Sequence, residues 1–410
     1  MKVLKKNSKL VLLTSNFPFG FNETFLETEI TYLAQSFSNI TIVSFDIYSN
    51  KSRAIPKNTS IIRLRYELTL FEKISSIKYI FSREIFDELI HIRKQYKKPI
   101  SFGIIKTILI SFFNAKRIAR KMDYLGLLND YTVYYSYWTN DCALSLAILK
   151  HKKAIFKAIS RAHGWDIFFG PSKYQYLPFR DYIVTNLNLL FTISEAGKSF
   201  VKEGWKAELY YKTQTSRLGV SRQEFQEPER GHFQLISCSN IIALKRVHLI
   251  VESLAQLNFK VDWIHFGDGN LMELVIGKCA EVLPENITYS FKGRVDNSII
   301  FNYYYSEKPN LFINLSSSEG IPVSIMEAMS FGIPVIATNV GGTSEIVNNE
   351  NGYLLGANPT ASDVAHKIKE FFNLTTDERY SKRKAAYETC KKKFDAENNY
   401  SQFTEDVISL

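Results

Sequence analysis

Cysteine is scarce in this chain. Its 410 residues include four, Cys142, Cys238, Cys279 and Cys390, scattered with no paired spacing. That argues against a disulfide framework and against a zinc site, and points to a reducing compartment. Long hydrophobic runs are also missing. No apolar stretch approaches the ~20 residues needed to cross a bilayer, and the nearest, Ile104 to Phe113, is interrupted by Lys106. At the N-terminus Lys2, Lys5, Lys6 and Lys9 lead only into Leu10 to Leu13, too short an apolar run for a signal-peptide core, so export is not expected. There is no internal repeat, no low-complexity tract, and no RNA-recognition, zinc-finger or helix-turn-helix pattern, which sets nucleic acid aside as a partner.

What is present is apolar, basic and alternating. With 45% hydrophobic residues in 410, the chain exceeds what one core usually supports, and two domains of about 200 residues are expected. Strand and helix patterns alternate, as in parallel-sheet α/β domains. Strands are expected at Leu10 to Ser15, Ile40 to Phe45, Ile61 to Arg65, Thr132 to Tyr137, Ile155 to Ser160 and Leu189 to Ile193. The alternation restarts at Gln234 to Cys238, Asp262 to Phe266, Thr288 to Phe291, Leu311 to Leu315 and Pro334 to Thr338. Residues 223–232 are polar, contain Pro228 and Gly231 and lack periodicity, as a linker does. The expected layout is therefore a first domain over 1–222, a linker over 223–232, a second domain over 233–385 and a charged helical tail over 386–410.

The net charge of +10 calls for anionic partners. Between Lys73 and Lys121 basic residues outnumber acids, with aromatics interleaved, and Ile104, Ile105, Ile108, Leu109 and Phe112 recur at helical spacing. Two readings fit: an amphipathic helix on an anionic membrane surface through residues 73–121, or a core-facing helix with a solvated basic end.

The chemistry concentrates around Glu319 and Glu327. Leu311 to Leu315 reads as a buried strand, Ser316 to Gly320 as its C-terminal loop, and Pro322 as a first-turn residue of a helix ending at Phe331-Gly332. A helix N-terminus aimed at a loop offers free N–H groups and a positive dipole end to an anionic diphosphate, and Gly320 lets that backbone approach closely. The two carboxylates can reach different ends of one ligand, and vicinal hydroxyls suit a carboxylate. On spacing alone, Glu319 as a helix cap and Glu327 as a solvated first-turn acid would be the favoured reading.

The surrounding pieces change that balance. Asn310 to Val347, with Gly-Ile-Pro, Ala-Met-Ser-Phe-Gly-Ile-Pro-Val-Ile-Ala-Thr and Val-Gly-Gly-Thr-Ser-Glu, resembles the signature segment of retaining GT-B glycosyltransferases of family 4, also called group 1. The resemblance implies an α/β fold: two Rossmann-like domains facing across a cleft, with a C-terminal helix crossing back to the first domain. It gives Glu319 the donor-sugar hydroxyls and Glu327 the nucleotide ribose, with Gly320, Ile321, Pro322 and Val323 lining the diphosphate. Lys245 occupies the position of the family's diphosphate-binding lysine and would offset the charge of the departing group. The family usually has arginine where this chain has Asn240, and Arg246 is a candidate compensation, though a neighbour of Lys245 should point elsewhere. Gly267-Asp268-Gly269 resembles the family's Gly-Asp-Gly loop, and Arg294 is a nucleobase-contact candidate. Gly341-Gly342 and Glu345 are expected to shape the loop below the ribose.

In the first domain His163 matches the family histidine that contacts the donor sugar. Arg161 and Asp166 flank it as sugar-pocket or acceptor candidates, and Ser194-Glu195 is either a ligand contact or a helix cap. Gly20 and Glu23 belong to a loop and helix start, with Asn22 as N-cap, resembling a Glu-Thr-Phe-Leu subgroup of polysaccharide and lipopolysaccharide assembly; both are acceptor or sugar-pocket candidates, Gly20 by admitting close backbone approach and Glu23 either by orienting an acceptor hydroxyl or as a helix-start charge. No Asp-x-Asp metal motif occurs, so no metal and no cofactor is expected beyond the nucleotide sugar as substrate. The implied activity is metal-independent retaining transfer of a hexose or N-acetylhexosamine from a UDP-sugar, or a GDP-sugar, to a saccharide or lipid-linked saccharide. The implied place is cytoplasmic or peripheral on the inner membrane face. A GT-B-fold nucleotide-sugar epimerase and a non-catalytic sugar-nucleotide-binding adaptor are the alternatives.

Overall fold

The computed structural model describes residues 8–20, 23–155, 157–170, 172–205, 207–225 and 232–410. The Asn22 cap and most of the expected linker lie outside the described residues. The chain divides into two compact units, one formed by Met1–Arg217 with Tyr400–Leu410, the other by Leu218–Asn399.

Unit 1 is built on seven parallel strands: β1 (Lys9–Thr14), β2 (Asn39–Ser44), β3 (Thr59–Arg63), β4 (Thr132–Ser136), β5 (Lys157–Ala162), β6 (Leu189–Thr192) and β7 (Thr213–Thr215), in the order β3-β2-β1-β4-β5-β6-β7. The near-continuous apolar run in β1 reflects burial on both faces, the mark of a parallel sheet covered by helices. Val11 and Leu13 pack into one core with Ile104, Ile108 and Phe112, while Leu10 and Leu12 pack into the other with Tyr135, Phe403 and Val407. The period-two alternation of a strand thus feeds two cores at once. This settles the 104–112 stripe. It lies in the helix Phe102–Tyr124, whose Ile104, Ile108 and Phe112 are buried, so that face looks into the core rather than toward a membrane.

Unit 2 carries a second parallel sheet of β8 (Phe233–Cys238), β9 (Val261–Phe266), β10 (Ile287–Phe291), β11 (Leu311–Asn314), β12 (Val335–Thr338) and β13 (Gly352–Leu355), ordered β10-β9-β8-β11-β12-β13. Leu235, Trp263, Leu311, Ile313 and Ile336 anchor its core.

The unit boundaries differ from the sequence expectation at both ends. Residues 218–222 belong to unit 2 because the Val220 backbone bridges to that of Asp395 and Arg222 pairs with the Asp395 carboxylate at 3.0 Å. The tail is two helices, Thr376–Lys393 and Ala396–Ile408, and only from Tyr400 does it join unit 1. Asp395 breaks the tail by capping the second helix, its carboxylate accepting from the Asn398 N–H at 3.1 Å.

Candidate active site

Both sheets are doubly wound, and in each the strand order reverses once. Connections that diverge on either side of that point open a crevice at the carboxyl ends of the two strands, where such folds bind ligands. In unit 2 the reversal falls between β8 and β11. The loops that follow these strands carry Lys245 and Glu319, and the Lys245 ammonium donates to Glu319 Oε1 at 2.6 Å.

Backbone bonds lace the surrounding loops together. Ser317 N–H reaches Leu244 O at 2.8 Å, Ile241 N–H reaches Asp268 O at 2.8 Å, Gly267 N–H reaches Gly293 O at 2.8 Å and Gly342 N–H reaches Gly320 O at 2.7 Å. Two glycines are demanded by this closeness. A Cβ on Gly267, whose φ is +127°, would stand 2.0 Å from Ser239 O, and one on Gly341, at φ +54°, would stand 1.8 Å from Glu319 O.

The helix Val323–Ser330 starts at the edge of this loop ring, with Pro322 in the N-cap position, one residue before the first turn where the sequence had placed it. Ile325 N–H turns back to Pro322 O at 3.1 Å, so the Val323 and Ser324 amides precede the first bond of the helix and face outward from its positive end. Glu319 is held from a second side by Asn314 Nδ2 at 3.3 Å. Glu327 is buried and accepts from Asn297 Nδ2 at 2.6 Å. Burial pushes its carboxyl up to about 7, against which the Asn297 hydrogen bond works only in part.

Arg294 lies on the same rim. Its guanidinium pairs with Asp268 at 3.0 Å and donates to Asn240 Oδ1 at 3.2 Å. The structure thus gathers Asn240, Asp268 and Arg294 in one cluster, a juxtaposition that sequence spacing could not show. Arg246 does not stand in for the arginine that is missing at 240. Sitting in a left-handed conformation at φ +48°, it donates to Leu315 O, Ser316 O and Ala357 O at 2.5, 2.8 and 2.9 Å. It fastens the loop that carries Glu319.

In unit 1 the reversal lies between β1 and β4. The loop after β1 wraps around Glu23, whose carboxylate accepts from Ser15, Asn16 and Phe17 N–H at 2.9, 2.7 and 2.6 Å and from the Trp138 indole N–H. These donors occupy both oxygens, so Glu23 organises the loop rather than orienting an acceptor hydroxyl. Gly20, at φ +64°, turns the chain within the same loop.

Asp166 is likewise committed, accepting from Thr139 N–H at 2.9 Å, His163 N–H at 2.8 Å and Gly164 N–H at 3.0 Å. Burial alone would raise its pKa, but neighbouring His163 and these backbone donors hold it below the ordinary carboxylate value. Arg161 is no pocket residue. Wholly buried on β5, it pairs with Glu29 at 2.5 Å, donates to Ser216 Oγ at 2.6 Å and lies over the Phe403 ring. Ser194 caps the helix Glu195–Gly204, accepting from Gly197 N–H at 3.0 Å.

His163 keeps a position suited to a ligand. It is 6% exposed, packs against Tyr137 and Trp138 with ring centroids 4.5 Å away in each case, and neither ring nitrogen has a hydrogen-bond partner. Among the described residues no group of three or more His, Cys, Asp or Glu could hold a metal ion, and all four cysteines are free thiols.

Two reversing parallel sheets define the GT-B fold, and solved structures share it over nearly the whole chain. The lipopolysaccharide outer core galactosyltransferase WaaB superposes with a TM-score of 0.69 at 15% identity, covering 98% of this chain and 99% of that one. Anabaena HepE, in complex with UDP and glucose, does so with a TM-score of 0.67 at 16% identity, covering 98% and 100%. Residues 221–390 match the family model of glycosyl transferases group 1. The putative colanic acid biosynthesis glycosyltransferase WcaL of Escherichia coli K12 is 27% identical over 234 residues, which are 53% of this chain and 55% of that protein. The chain spans little more than half the length of such curated relatives.

Proposed function

We propose that the chain is a retaining glycosyltransferase that moves a hexose or N-acetylhexosamine from a nucleotide sugar to a saccharide, lipid-linked in the cell, during cell-surface polysaccharide assembly. A UDP-sugar is the favoured donor and a GDP-sugar the alternative. One observation carries this reading: an ammonium and a carboxylate in contact at the switch point of unit 2, beside a helix N-terminus. Lys245 and the Val323 and Ser324 amides take the diphosphate, Glu319 takes sugar hydroxyls and Glu327 takes the ribose. The bond from the anomeric carbon to the diphosphate oxygen breaks, and the acceptor oxygen bonds to that carbon from the same face. The acceptor proton passes to the departing phosphate, whose growing charge Lys245 and the amides stabilise without a metal.

The test is transfer from UDP- and GDP-sugars to saccharide acceptors, with the product's anomeric configuration read by proton NMR and the reaction repeated with EDTA. Retained configuration with undiminished rate is expected. Inverted product, or turnover of donor with no acceptor present, would overturn the reading, the second outcome favouring an epimerase.

Among the described residues no helix is long and apolar enough to cross a membrane. Peripheral attachment through residues 73–121 is part of the proposal, and we take its apolar element from the segment 70–81. In and after the helix Leu70–Ser76, Leu70, Phe71, Ile74, Ile77 and Phe81 are each more than half exposed, whereas Ser76 is buried. The helix is turned inside out, with Lys73 and Lys78 beside the apolar face, as an element seated on anionic lipid would be. Sedimentation with phosphatidylglycerol vesicles but not with phosphatidylcholine vesicles, lost on replacing Phe71 and Phe81 by serine, is the expected result. Equal behaviour of both proteins would refute it.

A further inference from the structure

Beside His163, unit 1 holds a tryptophan pair, Trp138 and Trp165, that the donor chemistry does not use. Glu23, fixed by three backbone N–H groups, in turn fixes the Trp138 indole through its N–H. The Trp138 ring lies between His163, at 4.5 Å, and Trp165, at 5.2 Å with planes inclined by 37°. Trp165 stands on the turn after β5, half exposed, with Trp138 against one side of it. An indole held this way, half exposed at the carboxyl edge of a doubly wound sheet, is costly to leave in water. A pyranose answers this: its C–H face is apolar and stacks on an aromatic ring.

We infer that Trp165 is the stacking platform on which this chain seats a pyranose ring of its acceptor, with Trp138 setting the platform's angle and Glu23 acting as a positioning residue for Trp138. The inference rests on the transferase reading for the word acceptor, and on unit 1 alone for the site.

The full-length chain is titrated with methyl glycosides of glucose, galactose, mannose and N-acetylglucosamine, followed by tryptophan fluorescence and saturation-transfer NMR. At least one glycoside is expected to saturate. Its affinity should fall about three- to tenfold in Trp165→Ala and stay near the original in Trp165→Phe, with UDP and GDP affinities unchanged in both. Glu23→Gln should weaken the glycoside without altering nucleotide affinity. The inference is overturned if no glycoside binds, if Trp165→Ala binds as the original does, or if free uridine or guanosine competes for the same site. Glycoside binding that persists in a chain showing no transfer would instead remove the transferase reading and leave the platform standing.

Discussion

Glu327 offers the sharpest quantitative consequence. Its carboxyl, ordinarily near 4.5, stands at about 7 because burial disfavours the charge. Ionising it in place therefore costs about 3 kcal/mol more than in water. A ribose whose hydroxyls donate to this group favours the ionised form, so binding below pH 7 expels a proton, and donor affinity should rise about tenfold per pH unit up to about pH 7 and then level off. Calorimetry with UDP-glucose and GDP-mannose suits the test, since their diphosphates carry no group that titrates in this range. Titrations at pH 6 in buffers of different ionisation enthalpy should register release of about one proton. In Glu327→Gln both the slope and the proton release should vanish. A slope that persists in that variant, or a flat profile in the unaltered chain, would refute the assignment of Glu327 to the ribose.

Three further outcomes follow from the same geometry. Without ligand, Glu327 holds its proton in the folded state over a range where the unfolded chain has lost it. Its contribution to stability is thus full below about pH 4.5 and lost as pH rises through about 7. Glu327→Gln should accordingly raise the urea midpoint at pH 8 and change it little at pH 5. Gly267→Ala places a Cβ 2.0 Å from Ser239 O at φ +127°; it should destabilise the chain by about 2 kcal/mol or more and weaken nucleotide binding, both readable by melting with and without UDP. Arg161→Leu strands Glu29 as a buried charge and should cost about 3–5 kcal/mol, whereas replacing both partners by leucine should recover much of the loss in urea unfolding.

The strands were legible because parallel strands buried on two faces read as short apolar blocks, and nearly all expected blocks are strands. β7 and β13 were not, since Thr-Gln-Thr and Gly-Tyr-Leu-Leu are too short to carry a pattern. The residues around Glu319 stood out because the pieces flanking them, on one strand, one loop and one helix, resemble a family signature, whereas their spacing alone favoured a helix cap and a solvated acid. Unit 1 was harder. The types and positions of Arg161, Asp166 and Glu23 suit a pocket, but whether a carboxylate is free or saturated depends on which backbone N–H groups fold back to it. Trp138 and Trp165 gave no signal for a related reason: lone tryptophans are ordinary core residues until the fold shows one half exposed against another. The helix Leu70–Ser76 gave no signal either, since only the fold shows its apolar residues Leu70, Phe71 and Ile74 turned outward.

The donor site requires a diphosphate bound between Lys245 and the helix that starts at Val323. Calorimetric titration of the chain and its Lys245→Met variant with UDP and GDP, and in parallel with uridine and guanosine, tests this directly. Removal of the ammonium should weaken the diphosphates by at least about tenfold and leave the nucleosides as they were. Equal diphosphate affinity in the two proteins, or a loss shared by the nucleosides, would contradict it.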